Sequence, residues 1–177
     1  MDDTLIDFVG GLIDAVNLEC GSSVSRDALS EWDIGLVLDP VLGEPWMQWL
    51  ERRQWLWPTF KPMPGAFLAI EKWRSKGYEV ELLTAKPKSA EWVVWKWLGN
   101  WRPPISAVTI VPLGANKATY SAARVLVDDN TRNVEQWSES GRWAVLYEAP
   151  WNAGVEGHLR AKDWREVERV VNSLVYP

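Results

Sequence analysis

Arg124-Val125-Leu126-Val127-Asp128-Asp129 sets a short apolar run directly against two adjacent carboxylates. Such a run, bounded by polar residues, reads as a buried strand, and the paired acids mark where the chain leaves the sheet. Downstream, 131–140 has helical spacing, 143–147 reads as the next strand and 163–174 as a closing helix. Upstream, 117–123 is a short helix or turn, 107–111 a strand, 89–99 a helix, 78–84 a strand and 65–75 an amphipathic helix closed by Lys76-Gly77. Strands that alternate with helices predict an α/β, Rossmann-like, mainly parallel sheet with helices on both faces.

The first third of the chain has a different texture. Leu5, Phe8, Val9, Leu12, Ile13 and Val16 recur at helical spacing over 5–17, although Gly10 and Gly11 weaken that helix. Two adjacent glycines there suggest that something approaches the backbone closely. From Cys20 to Thr59 come short amphipathic pieces (25–32 and 45–55), a turn-rich Asp39-Pro40 and Gly43, and five Trp. This predicts a small helical cap insert over 18–60, with the α/β core made of 1–17 and 61–177.

Composition bounds the function. The 177 residues suit one domain with an insert, and 47% apolar with 24% charged residues is ordinary for a globular protein. A net charge of -5 argues against coating a nucleic-acid polymer, because phosphate backbones reward clustered Lys and Arg. Cys20 is the only cysteine, which excludes an intrachain disulfide. No run reaches the roughly 18 apolar residues of a membrane span, and the acidic N-terminus lacks the order of a signal peptide. A cytoplasmic protein with no membrane partner is expected. Fourteen Trp stand out. Trp92, Trp95, Trp97 and Trp101 crowd one helix, and packing against the sheet is the expected role.

In parallel sheets ligands bind beyond the carboxyl ends of the strands. Thr84 ends one strand and offers a hydroxyl and following backbone N–H groups to an anion. Lys117 lies eleven positions before Asp128, and its ammonium suits a phosphoryl oxygen. Neighbouring strand side chains diverge, so one of Asp128 and Asp129 is expected to face the crevice. Setting it near Asp2 puts like charges together, a cost that a cation or a shared proton offsets, and hard oxygen donors favour Mg2+ as the cation.

Taken in order, Met1-Asp2-Asp3-Thr4-Leu5, the strand-ending Thr84, Lys117 and Asp128-Asp129 resemble the four motifs of the haloacid dehalogenase-like superfamily. The resemblance narrows to the 5'(3')-deoxyribonucleotidase family through Asp7-Phe8-Val9-Gly10-Gly11, Pro62-Met63-Pro64-Gly65-Ala66, Trp92-Val93-Val94-Trp95-Lys96-Trp97-Leu98-Gly99, Asn116-Lys117-Ala118-Thr119 and Lys162-Asp163-Trp164. It implies Mg2+-dependent hydrolysis of (deoxy)nucleoside 5'-monophosphates through an aspartyl-phosphate. Asp2 would be general acid and base. Thr84, Ala85 and Lys117 would hold the phosphoryl group. Asp2, Asp128 and Asp129 would hold the metal, and Leu12 with Trp32 would sit near the base.

In the family's Asp-x-Asp pattern Met1 stands at the "x". The resemblance therefore places the nucleophilic Asp directly ahead of Met1, at the end of a central strand between those ending at Thr84 and Asp128; that strand is absent from this chain. A homodimer is compatible with this reading. The alternative is a catalytically inactive pseudo-phosphatase that binds a ligand or partner.

Overall fold

The computed structural model describes residues 1–29 and 33–175. Among these described residues five strands, all paired in parallel, alternate with helices as the periodicity predicts. β1 (Glu81–Ala85) pairs with β2 (Ala107–Val111), with Thr84 opposite Ile110. β3 (Val125–Asp128), β4 (Trp143–Tyr147) and β5 (Leu159–Ala161) form a second ladder, with Asp128 opposite Leu146.

Alternation along these strands sorts the core onto two faces. Leu82 and Val145 pack with α1 (Phe8–Cys20), α4 (Ala66–Ser75) and α7 (Trp164–Val175). Their neighbours Leu83, Ala144 and Leu146 pack instead with Val134 and Trp137 of α6 (Thr131–Glu139). Helices thus cover both faces, and the period of two explains why each strand reads as almost continuously apolar. α5 (Glu91–Trp101) is pinned by its own aromatics: Trp97 Nε1 donates to Phe60 O at 2.8 Å and Trp101 Nε1 to Pro58 O at 3.2 Å. Trp97 is fully buried, whereas Trp92 and Trp95 on the outer face are 41% and 55% exposed. The expected core role therefore holds for half of that helix's surface only.

Local chemistry sets the element ends. α1 starts at Phe8 rather than at Leu5, because the Asp7 side chain accepts from Gly10 N and caps the helix there. The two glycines of α1 are close-approach positions: a Cβ on Gly11 would lie 2.5 Å from the Phe60 ring, and one on Gly10 would lie 2.4 Å from the Asp7 carboxylate. β1 begins three residues later than the apolar pattern suggests. Val80 lies beyond the end of β2, where its carbonyl takes the Ser106 N–H instead. β5 had no signal in the sequence, being three residues in a Gly-flanked loop. Between α1 and α4 lie α2 (Gly35–Leu42) and α3 (Trp46–Glu51). Asp39-Pro40 falls inside α2 rather than in a turn, and the chain turns instead at Gly43, whose φ of 69° suits glycine.

Among the described residues β1 and β3 have no ladder with each other. Between them lies an apolar slot of about 380 Å3, walled by Leu82, Leu83, Val125, Leu126 and Val127 and closed on the two faces by Ile70, Trp73, Trp164 and Trp137. Met1 stands in its wall. No helix among the described residues is long and apolar enough to cross a membrane.

Candidate active site

Beyond the carboxyl ends of β1 and β3 opens a second hollow, a cleft of about 460 Å3. Asp2, Thr84, Ala85, Lys117, Asp128 and Asp129, read separately from the sequence, all line it. Each arrives on a different piece of backbone. Asp2 lies in a tight turn in which Leu5 N and Ile6 N both donate to Met1 O. Asp3 follows it at φ 50°, a left-handed conformation that Asp tolerates better than most residues. Thr84 and Ala85 end β1. Lys117 opens a single 3-10 turn capped by the Asn116 side chain, which accepts from Ala118 N at 2.9 Å.

Both carboxylates of the Asp128-Asp129 pair face the cleft, not one. β3 ends at Asp128, so strand alternation does not govern Asp129. Asp128 accepts from Lys117 Nζ at 2.7 Å, from Asn133 Nδ2 at 3.0 Å and from its own loop at Asn130 N at 2.9 Å. Asp129 accepts from Thr4 Oγ1 at 3.0 Å and from Trp151 Nε1 at 3.2 Å. Burial works against charge on both, and the outcomes differ. At Asp128 the Lys117 ammonium and the hydrogen bonds from Lys117 and Asn133 work against burial, and the group is held below the usual carboxylate range. At Asp129 burial and the neighbouring Asp128 push it up to about 7. Burial, then Asp129, also raises Asp3 well above its ordinary value, against Arg26, which donates to Asp3 at 3.1 Å and to Asp7 at 2.5 Å.

The carboxylates suit a hard divalent cation. Burial and the adjacent Asp128 disfavour charge on Asp129, a cost that a cation beside the two carboxylates would offset. Among the described residues no three metal-ligating side chains converge. Mg2+ does not require that, since it is commonly held by one or two carboxylates, with waters and substrate oxygens completing the shell.

Of the two residues expected near a base, Leu12 does not line the cleft. Leu12 is fully buried in the core, because its side chain packs under α1 rather than outward. Trp32 lies outside the described residues. Among the described residues the apolar wall is made by Phe8, Val9, Ile34 and Trp46, with the Phe8 and Trp46 rings 6.2 Å apart, edge to face. Phe8 sits in the quoted Asp7-Phe8-Val9 motif and was legible there. Trp151, Asn133 and Lys86, whose buried ammonium pairs with Asp2, carried no local signal.

The profile of the 5' nucleotidase, deoxy (pyrimidine), cytosolic type C protein family matches residues 1–175. The chain belongs to that family. Its members are hydrolases of the 5'-nucleotidase type, and the fold and the order of motifs agree. A Staphylococcus aureus (strain Mu50) protein provisionally named a 5'(3')-deoxyribonucleotidase is 26% identical over 175 residues, covering 96% of this chain and 91% of that protein. In structure, a dehalogenase crystallised as an intermediate complex is similar at a TM-score of 0.67 and 14% identity, over 96% of this chain and 93% of that one. A D,D-heptose 1,7-bisphosphate phosphatase from B. bronchiseptica, complexed with magnesium and phosphate, gives a TM-score of 0.50 and 15% identity over 66% of this chain and 87% of its own. At these identities the structural likeness speaks to the haloacid dehalogenase-like fold.

Proposed function

We propose that this protein hydrolyses (deoxy)nucleoside 5'-monophosphates, with residues 18–60 as the cap that selects the nucleoside. The observation that carries the reading is the meeting of Asp2, Thr84, Lys117 and Asp128 around one cleft, with an aromatic wall beside them. The phosphoryl group is held by Thr84, the backbone at Ala85 and Lys117, donors already ordered before developing charge needs them. The nucleoside lies against Phe8 and Trp46. Asp2 protonates the departing sugar oxygen and later takes a proton from the water that cleaves the acyl phosphate.

Asp128, Asp129 and the Asp2 backbone would hold Mg2+, which when bound supplies charge neutralisation at the phosphoryl oxygens. The nucleophile is the carboxylate of an Asp directly ahead of Met1. This part of the reading rests on the slot: a strand lying parallel between β1 and β3 would end beside Met1, at the cleft. Its carboxylate attacks phosphorus, the sugar oxygen leaves, and water then releases phosphate and restores the Asp.

The test is phosphate release from deoxynucleoside 5'-monophosphates with Mg2+, using the chain as given and the chain preceded by an apolar strand ending in Asp. Turnover in the second form that is lost with Asp128→Asn supports the reading. An inert extended form, or turnover indifferent to Asp128→Asn, removes it.

A further inference from the structure

Lys86 carries chemistry that the four motifs do not use. It follows Thr84 and Ala85 at the end of β1, and its backbone N–H is fixed to Val111 O at 3.0 Å. The residue is only 6% exposed. Among the described residues its ammonium has one carboxylate partner, Asp2 Oδ2. On its other side the Trp57 ring lies 4.1 Å away in cation–π contact. Trp57 in turn packs on Phe8, ring centroids 5.0 Å apart, and Phe8 belongs to the cleft wall.

Stability alone does not account for a lysine here. A buried ion pair seldom outperforms a well-packed apolar pair, since both charges must be taken from water. Its effect on Asp2 does. Lys86 occupies one carboxylate oxygen and leaves the other, Oδ1, buried without a partner in a residue that lines the cleft. We infer that Lys86 is a positioning residue: it fixes the Asp2 carboxylate so that Oδ1 is the oxygen that exchanges the proton with the leaving group, and Trp57 fixes Lys86. A contact chain thereby runs from the apolar wall that meets the nucleoside to the acid that completes the reaction. The inference rests on the nucleotidase reading for its catalytic part.

Two measurements test it. In a double-variant cycle on thermal unfolding of the chain as given, Lys86→Met and Asp2→Asn are expected to be non-additive, the pair costing less than the two separately. Strict additivity overturns the inference, because the contact then does not hold Asp2 in solution. In the form that releases phosphate, Lys86→Met is expected to lower kcat about 100-fold, the size of effect that misplacing a reacting group by an ångström brings. KM should stay within about twofold, and Lys86→Arg should recover all but about tenfold of kcat by restoring a donor to Oδ2. An unchanged kcat, or a loss carried by KM, overturns the inference. Should no form release phosphate while the cycle shows coupling, the nucleotidase reading falls and the hold of Lys86 on Asp2 stands.

Discussion

The cleft and the slot both have Met1 in their walls, yet one is lined by Asp2, Lys117, Asp128 and Asp129 and the other by Leu83, Val125, Leu126 and Trp164. In the cleft, side chains do the work, and most polar groups are tied to a partner that orients them. In the slot the polar groups that matter are backbone ones, along the facing edges of β1 and β3, between apolar side chains. Two parallel edges facing each other across an apolar gap are a template for one more strand. On the proposed reading, the cleft supplies the acids and the phosphate-holding ammonium, and the slot is where the strand that carries the nucleophile would lie.

Filling the slot gives the largest expected effect. A strand of about five apolar residues joined ahead of Met1 satisfies backbone groups worth roughly 1–3 kcal/mol each when buried unpaired. For a domain of this size that raises the unfolding midpoint by more than about 10 °C. The last residue of the strand separates the two hollows. Ending in Asp it gives both stability and turnover; ending in Asn it gives the same stability with turnover lower by on the order of 10³-fold or more. Equal turnover from both would break the division of labour between slot and cleft.

Next in size is Asp128→Asn, which strands the Lys117 ammonium in a buried site. Removing one partner of such a pair costs about 3–5 kcal/mol, most of it the unpaired charge left behind. Lys117→Met with Asp128→Asn should recover much of that loss. Chemical denaturation of the three variants checks this, and a cost below about 1 kcal/mol for Asp128→Asn would mean the pair is solvated.

How far these features were legible follows the same division. Thr84, Lys117 and Asp128-Asp129 could be read because each is a chemically distinctive residue at the end of a periodic element. The expectation that only one of Asp128 and Asp129 would face the cleft carried strand alternation one residue past the end of β3. Lys86 and Trp151 escaped because their meaning is tertiary: Asp2 and Asp129, their partners, are far off in sequence. Leu12 was assigned to the base by its place in a pattern, whereas burial puts it in the core and Phe8 at the wall. In the insert, short helices with Pro40 inside one of them carry little periodicity, and α2 was taken for a turn. The slot itself was legible as topology but not as a shape.

A smaller, pH-dependent effect reports on the cleft alone. Asp129 is pushed up to about 7 in the folded protein, and an unfolded Asp titrates near 3.9. Between those values the folded state holds a proton that the unfolded state has lost, so stability falls as pH rises from about 4 to about 7 and then levels. Asp3, also raised, adds to the fall over a window that likewise opens near 4. Asp128, held low, acts in the opposite sense and only below about 4, where its stabilising pair is protonated away. Unfolding midpoints taken across pH 4 to 8 should therefore decline, and Asp129→Asn should flatten most of the decline. Mg2+ should raise the midpoint more at pH 7.5 than at pH 5, because it relieves charge that only the higher pH creates. A midpoint indifferent to Mg2+ at both would remove the carboxylates as its site.

The smallest effect comes from setting two buried atoms without hydrogen-bond partners side by side, one from each hollow: Asp2 Oδ1 in the cleft and Nε1 of Trp137, whose residue walls the slot. An unpaired buried donor is a cost with no return, so Trp137→Phe removes a penalty while losing some ring area and the stacked Arg142 guanidinium 3.8 Å away. The two terms nearly cancel, and stability should move by less than about 1 kcal/mol, with kcat unchanged. Asp2→Asn should lower kcat on the order of 10²-fold or more and also cost stability, because it leaves the buried Lys86 ammonium without its carboxylate. If Trp137→Phe lowers kcat as Asp2→Asn does, the slot is coupled to the chemistry through more than the strand it receives.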